Sequence, residues 1–222
     1  MDKNEVLQQI EKIGLVPVLR AESADLAIKT ADAIIKGGVP IVEVTMTVPG
    51  ALDVIRALIQ THGSRLLVGA GSVLDPETAR ACILAGAQFV VAPALNVRTI
   101  EMCHRYGVAV MPGALTPTEV ITAWQAGADV VKVFPCSAVG GPKYLKALHG
   151  PMPQVKLVPT GGVSLATAEE FLHSGALALG VGSDLVDTKA VADGRAEVVT
   201  ETAQKYLAII AKTRGIAAAT GK

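Results

Sequence analysis

Lys132 lies within the apolar stretch "GADVVKVFPCS" (127–137) and Glu43 within "IVEVTM" (41–46). An ammonium or carboxylate among valines is costly unless it is paired or gives up its charge. Two readings follow. The residues form a structural ion pair filling an interior, or they form an amine nucleophile with an acid–base partner. Apolar surroundings favour an uncharged lysine amine, which can attack a carbonyl carbon and form a Schiff base, whereas a neighbouring carboxylate favours the ammonium. Lys156, in "QVKLVPTGGV", is a rival nucleophile, also flanked by valine and leucine but placed where its run begins. Lys143 and Lys146 follow a Gly-Gly-Pro turn and read as solvated helix positions.

A second constellation could hold an anion. "PTGGV" (159–163) and "GVGSD" (180–184) each follow an apolar run. Glycine lets an anion approach backbone N–H groups, and Ser183 adds a hydroxyl, so Gly161, Gly162, Gly182 and Ser183 are candidates for a phosphate site. The same glycines could instead serve only tight turns.

No metal or cofactor is expected. His62, His104, His149 and His173 read as surface or helix-end residues, without paired spacing or a companion cluster of cysteines or carboxylates. Cys136 follows an apolar run and could border a site, but no base accompanies it, and packing is the simpler role. Tyr106 and Trp124 belong to helical stretches and read as packing or interface residues.

These residues must be positioned by a repeating frame. Apolar runs recur at 16–20, 41–46, 66–72, 89–93, 108–114, 130–135, 156–162 and 177–183, about 20 to 27 residues apart, with helical patterns between them. "KGGVPIVEV", "LAGAQFVVA", "QAGADVVKV" and "HSGALALGV" each carry a glycine that ends a helix and turns the chain into the next run. "DPETAR", "TPTEV" and "SLATAEE" read as helix starts. Eight such units in one domain, 1–214, predict an α/β fold: a single (β/α)8 TIM barrel with a short N-terminal helix. A doubly wound open sheet is the alternative. In a barrel the active site sits at the C-terminal ends of the strands. Those ends hold Arg20, Thr45, Ser72, Pro93, Thr116 (just beyond the fifth run), Phe134, Thr160 to Gly162, and Gly182 with Ser183.

Composition narrows the partners. Half of the residues are hydrophobic but only 3% are aromatic, which suits parallel strands of Val, Leu, Ile and Ala under covering helices. Twenty basic residues balance twenty acidic ones with no basic block, so neither nucleic acid nor a membrane surface is an expected partner. The opening "MDKNEVLQQIEKIG" reads as an amphipathic helix rather than a signal peptide. Three cysteines without a CxxC pair point to a reducing, cytoplasmic setting. The closing stretch, 215–222, reads as a frayed tail.

In order along the chain, "VEVTMTVP", "VGAGSVLDP", "VVAPAL", "MPGALTPTE", "VKVFPCSAVGGPKYLKALHGPMPQVKLVPTGGV" and "GVGSDLV" are similar to the class I pyruvate-dependent aldolases typified by 2-keto-3-deoxy-6-phosphogluconate aldolase and 4-hydroxy-2-oxoglutarate aldolase. The resemblance runs from about residue 14 to 186. It implies that Lys132 forms the Schiff base and Glu43 moves protons. It also implies that Arg20, Ser72, Pro93, Phe134 and Thr160 shape the keto-acid pocket, and that Gly161, Gly162, Gly182 and Ser183 hold phosphate. The implied small molecules are a 2-keto acid substrate, pyruvate and glyceraldehyde 3-phosphate; the implied assembly is a homotrimer. One departure stands out. Some members carry an arginine where this chain has Thr47, so carboxylate binding is assigned to Arg20, whose fork suits it.

Overall fold

The structure, a computed structural model, describes residues 1–215. The expected tail therefore lies outside the described residues, except for Gly215. The first helix, α1 (Lys3–Ile13), is fixed at its start by a capping box: the Asp2 carboxylate accepts from the Glu5 N–H, and Glu5 accepts from the Asp2 N–H. Val6 and Ile10 form its buried side, and Lys3 reaches Asp129 at 2.8 Å.

The strands are β1 (Leu15–Leu19), β2 (Ile41–Thr45), β3 (Leu67–Gly71), β4 (Phe89–Val91), β5 (Ala109–Met111), β6 (Gly113–Ala114), β7 (Val131–Val133), β8 (Leu157–Pro159) and β9 (Leu179–Val181). Every residue in them is buried, which explains why they read as continuous apolar runs rather than alternating ones. The helices following them are α2 (Ala24–Lys36), α3 (Ala51–His62), α4 (Pro76–Leu84), α5 (Val97–Arg105), α6 (Pro117–Gln125), α7 (Pro142–His149), α8 (Ala168–His173), α9 (Thr188–Ala192) and α10 (Glu197–Arg214).

Local chemistry sets most of the boundaries. Asp75 caps α4 through the Thr78 N–H, and Thr116 with Glu119 makes a capping box on α6. The return glycines Gly38, Gly86, Gly127 and Gly175 all take positive φ, as their connectors require. "SLATAEE" behaves differently: residues 164–167 form a turn, and α8 starts only at Ala168. The Thr167 hydroxyl is spent in that turn, where it meets the Ser164 N–H at 3.0 Å and the Gly162 carbonyl at 3.1 Å.

All ladders are parallel and neighbours follow sequence order, β5-β4-β3-β2-β1-β9 in one sheet and β6-β7-β8 in the other. A doubly wound sheet would reverse its order at a switch point, and none occurs here. The result is a curled parallel sheet whose pairing is not one uninterrupted eight-strand ladder. Two places account for the difference from the expected barrel. The fifth run splits at Pro112, which has no N–H to give, so β5 pairs with β4 while β6 pairs with β7. Between β8 and β9 only isolated bridges form, Leu157 with Ala176 and Thr160 with Gly180.

Candidate active site

Glu43 and Lys132 project from β2 and β7 into the space that the curled sheet surrounds, and both are almost fully buried. The Lys132 Nζ lies 3.9 Å from the Glu43 Oε1 and 5.3 Å from the centre of the Phe134 ring. That separation is an ionic contact, too long for a direct hydrogen bond. Glu43 Oε1 has no hydrogen-bond partner. Burial raises the affinity of the Glu43 carboxyl for a proton above the ordinary range, against the opposing pull of Lys132 and, more weakly, Arg20.

β3 makes room for this pair. A Cβ added to Gly71 would fall 2.0 Å from the Glu43 Oε1, and one added to Gly69 would fall 2.2 Å from the Phe89 ring. Positions 69 and 71 share one face of the strand. One glycine thus leaves space for core packing, and the next leaves space for the carboxylate. Sequence reasoning passed over Gly71, although the i, i+2 glycines of "VGAGS" were the signal.

Lys156 separates cleanly from Lys132. Its side chain is half exposed and sits 3.4 Å from Glu11 of α1, at the opposite end of its strand from the site. Lys143 and Lys146 are exposed on α7.

A cleft of about 480 Å³ opens at the C-terminal ends of the strands. Arg20, Phe134, Gly161, Gly162, Gly182 and Ser183 line it, so six of the expected residues come together here. Phe134 links the cleft to Lys132, and Val18, also in its wall, pairs in register with Glu43. Val18, Val163, Ser164, Gly180 and Asp184 complete the wall without having been named as site residues. Asp184 stood at the end of "GVGSD", a stretch singled out for its glycines and serine alone.

Besides Glu43 and Lys132, four residues expected at the keto-acid pocket do not line that cleft. Thr45 is fully buried; its hydroxyl donates to the Leu19 carbonyl at 3.0 Å and meets the Thr47 hydroxyl at 2.7 Å. It braces the end of β1, from which Arg20 emerges. Ser72 follows β3 at φ 56°, the one described non-glycine residue with positive φ, a conformation that marks a constrained position. Pro93 is half-buried and its carbonyl backs against Gly113, where a Cβ would come within 2.2 Å. Thr160 is buried with its hydroxyl against Gly180, at the bridge between β8 and β9.

The cysteines are packing residues. Cys82, Cys103 and Cys136 are free and fully buried, and burial pushes their thiols up to about 11, 12 and 11. The four histidines all fall in the last turns of their helices, with His62 against Asp32 and His104 against the Gly127 carbonyl. Among the described residues, no three His, Cys, Asp or Glu side chains gather as a metal site. No helix among them is long and apolar enough to cross a membrane. Trp124 and Tyr106 are partly exposed, and the Tyr106 hydroxyl accepts from Arg80.

A buried amine and carboxylate in the middle of two parallel strands, below a cleft that opens at the strands' C-terminal ends, are groups that could work on a carbonyl compound. The chain belongs to the KDPG and KHG aldolase family, whose model matches residues 6–202. It is therefore an aldolase, a lyase. A 2-dehydro-3-deoxy-phosphogluconate aldolase of Treponema pallidum is 37% identical over 92% of this chain and 97% of its own. A 2-dehydro-3-deoxy-6-phosphogalactonate aldolase of Escherichia coli K12 is 36% identical over 81% of this chain and 87% of its own. Among solved structures, KDPG aldolase from Legionella pneumophila, with pyruvate captured at low pH as a covalent carbinolamine intermediate, aligns with TM-score 0.83 and 29% identity over 90% of this chain and 96% of that one.

The raised proton affinity of Glu43 gives a signed expectation for stability. A carboxyl that holds its proton more tightly when folded contributes stability that is complete below its unfolded value, near 4.5, and is lost as pH rises through the higher folded value. The stability of the parent relative to Glu43→Gln should therefore decline from about pH 4.5 upward. Urea unfolding of both proteins between about pH 4 and 8 measures this, and a flat difference would mean that Glu43 has an ordinary proton affinity.

Proposed function

We propose that this protein is a class I aldolase that cleaves 2-keto-3-deoxy-6-phosphogluconate to pyruvate and glyceraldehyde 3-phosphate through a Schiff base on Lys132. The observation that carries the proposal is the buried pair, with Nζ 3.9 Å from a carboxylate oxygen that has no hydrogen-bond partner. A purely structural pair would be expected to close to hydrogen-bonding distance and satisfy that oxygen.

The uncharged Lys132 amine adds to the C2 ketone of the substrate, giving a carbinolamine that loses water to form the imine. The carbinolamine captured with pyruvate in the Legionella relative supports this step. The protonated imine draws in the electron pair of the C3–C4 bond as it breaks, and Glu43 takes the proton of the C4 hydroxyl, so the aldehyde departs. The remaining enamine regains a proton at C3 from the same carboxyl, and water hydrolyses the imine to release pyruvate and the free amine. Arg20 holds the substrate carboxylate, while Gly161, Gly162, Gly182 and Ser183 receive the phosphate at the far side of the cleft. Phe134, Thr45, Ser72, Pro93 and Thr160 shape or brace the keto-acid pocket. No metal or cofactor takes part in this scheme.

A main activity on the galactonate epimer or on 4-hydroxy-2-oxoglutarate is the second reading, supported by the Escherichia coli relative named for the galactonate substrate. A non-catalytic phosphate-binding barrel is a third, and the buried pair argues against it. The proposed frame is a closed eight-strand barrel spanning 1–214, with β5 and β6 counted as one strand; the bonds from the Lys132 N–H to the Pro112 carbonyl and from the Leu177 N–H to the Leu157 carbonyl support it. A homotrimer is the proposed assembly, with exposed Leu74, Leu84 and Trp124 as apolar surface for subunit contact. A single-chain mass by light scattering would remove that proposal. Three free buried thiols support a cytoplasmic location.

Borohydride reduction in the presence of pyruvate tests the chemistry. One pyruvate-derived adduct per chain is expected, and peptide mapping should place it on Lys132. An adduct on Lys156, or none, would refute the mechanism.

A further inference from the structure

Among the described residues Tyr206 is the largest fully buried side chain, on the inner stripe of α10 with Val199, Ala203 and Ile210. The cleft chemistry gives it no role. Its hydroxyl nevertheless donates to the Asp184 Oδ2 at 2.5 Å, and that same oxygen accepts the Leu165 N–H at 3.2 Å. Burial pushes the phenol far above the ordinary tyrosine range, and the bond to Asp184 pushes it further, so Tyr206 is the donor.

Leu165 belongs to the loop after β8, which carries Gly161 and Gly162. Asp184 belongs to the loop after β9, which carries Gly182 and Ser183. Each loop has internal bonds: Thr167 donates to the Gly162 carbonyl, and the Leu185 and Val186 N–H groups donate to the Gly182 carbonyl. β8 and β9 pair through isolated bridges and not through a continuous ladder, so Asp184 joins two loops that the sheet couples weakly. An anion held between backbone N–H groups of both loops requires their separation to be fixed, because errors of an ångström remove much of the benefit.

We propose that Tyr206 is a positioning residue for the side of the cleft formed by the two glycine loops, acting through Asp184 to hold those loops at the spacing that a phosphate group needs. The proposal rests on the aldolase reading only in taking the glycine loops as the anion site. A residue buried merely to fill space would satisfy its hydroxyl with any nearby carbonyl and would have no preferential effect on one substrate.

Tyr206→Phe removes a single hydroxyl and keeps the ring. Titration calorimetry with inorganic phosphate, and kinetics on 2-keto-3-deoxy-6-phosphogluconate and unphosphorylated 4-hydroxy-2-oxoglutarate, provide the readouts. Phosphate affinity should weaken about 3- to 10-fold and KM for the phosphorylated substrate should rise by the same factor. Values of kcat on both substrates, and KM for the unphosphorylated one, should stay within about two-fold. Asp184→Asn keeps an oxygen acceptor for both donors and should retain at least the parent's phosphate affinity. Asp184→Ala should weaken it as Tyr206→Phe does, and adding Tyr206→Phe to Asp184→Ala should have no further effect. Parent-like phosphate binding by Tyr206→Phe, equal losses on both substrates, or Asp184→Asn behaving like Asp184→Ala would each overturn the proposal. A parent that binds no phosphate yet still traps pyruvate on Lys132 would sink this inference and leave the aldolase chemistry standing; phosphate binding without the adduct would do the reverse.

Discussion

Lys132→Met is expected to lower kcat/KM by about 10³-fold or more, because it removes the only nucleophile in the proposed route and, among the described residues, no other lysine pairs with Glu43. Stability should fall as well. Without Lys132, the buried Glu43 carboxylate loses its nearest positive charge, and uncoupling a buried pair costs about 3 to 5 kcal/mol. For a chain of this size that is a fall in Tm of about 6 to 20 °C. The loss has a pH signature. Glu43 can escape by taking a proton, so the destabilisation should be full at alkaline pH and fade as pH falls toward 4.5, the ordinary value for a glutamate. A double variant, Lys132→Met with Glu43→Leu, should recover most of the stability and none of the activity. Calorimetric Tm values at two pH values, with initial rates on the same samples, check each part. Recovered stability with retained turnover would place the nucleophile elsewhere.

The second large effect concerns a residue with no side chain. Gly71→Ala puts a Cβ where the Glu43 carboxylate now lies, 2.0 Å from Oε1 and 2.6 Å from the carboxyl carbon. The alanine methyl is fixed to a paired strand, so the carboxylate must move. General acid–base catalysis contributes about 10²- to 10⁴-fold, and a displaced Glu43 should forfeit much of it from kcat while Lys132 still traps pyruvate with borohydride. Overpacking should also cost about 1 to 3 kcal/mol. Gly69→Ala is the matched control. Position 69 lies two residues before Gly71 on the same face, and a methyl there collides with the Phe89 ring, so this variant should cost similar stability while kcat per folded molecule stays near the parent value. Equal kcat for Gly71→Ala and the parent would mean that Glu43 does not transfer the proton.

Much of this was legible in the chain itself, and for identifiable reasons. Caps and return glycines are local signals, so Asp75, Thr116 and the glycine after each helix marked their boundaries directly. Lys132 and Glu43 stood out because a charge inside an apolar run has few innocent explanations. Other features depend on partners far away in sequence. Lys156 and Lys132 have similar neighbours in the chain, and only the folded structure, where Lys156 is half exposed beside Glu11, shows that one of them faces water. Thr45 stood at the correct strand end, but its donor is committed to Leu19. Pro112 could have warned that the fifth strand would break, since a residue without an N–H cannot continue a ladder on that side. The bond from Tyr206 to Asp184 spans 22 residues and two elements, and no periodicity in the sequence announces it.

The three buried thiols have a practical consequence. With values near 11 to 12, only about one part in 10⁴ or fewer would be thiolate at neutral pH, and none is open to solvent. The folded chain is thus almost blank toward maleimides and spin labels. A cysteine introduced at exposed Ala147, on α7, would be the sole fast-reacting position, so a probe could report on loop motion during turnover without first stripping out the native cysteines and disturbing the interior they fill.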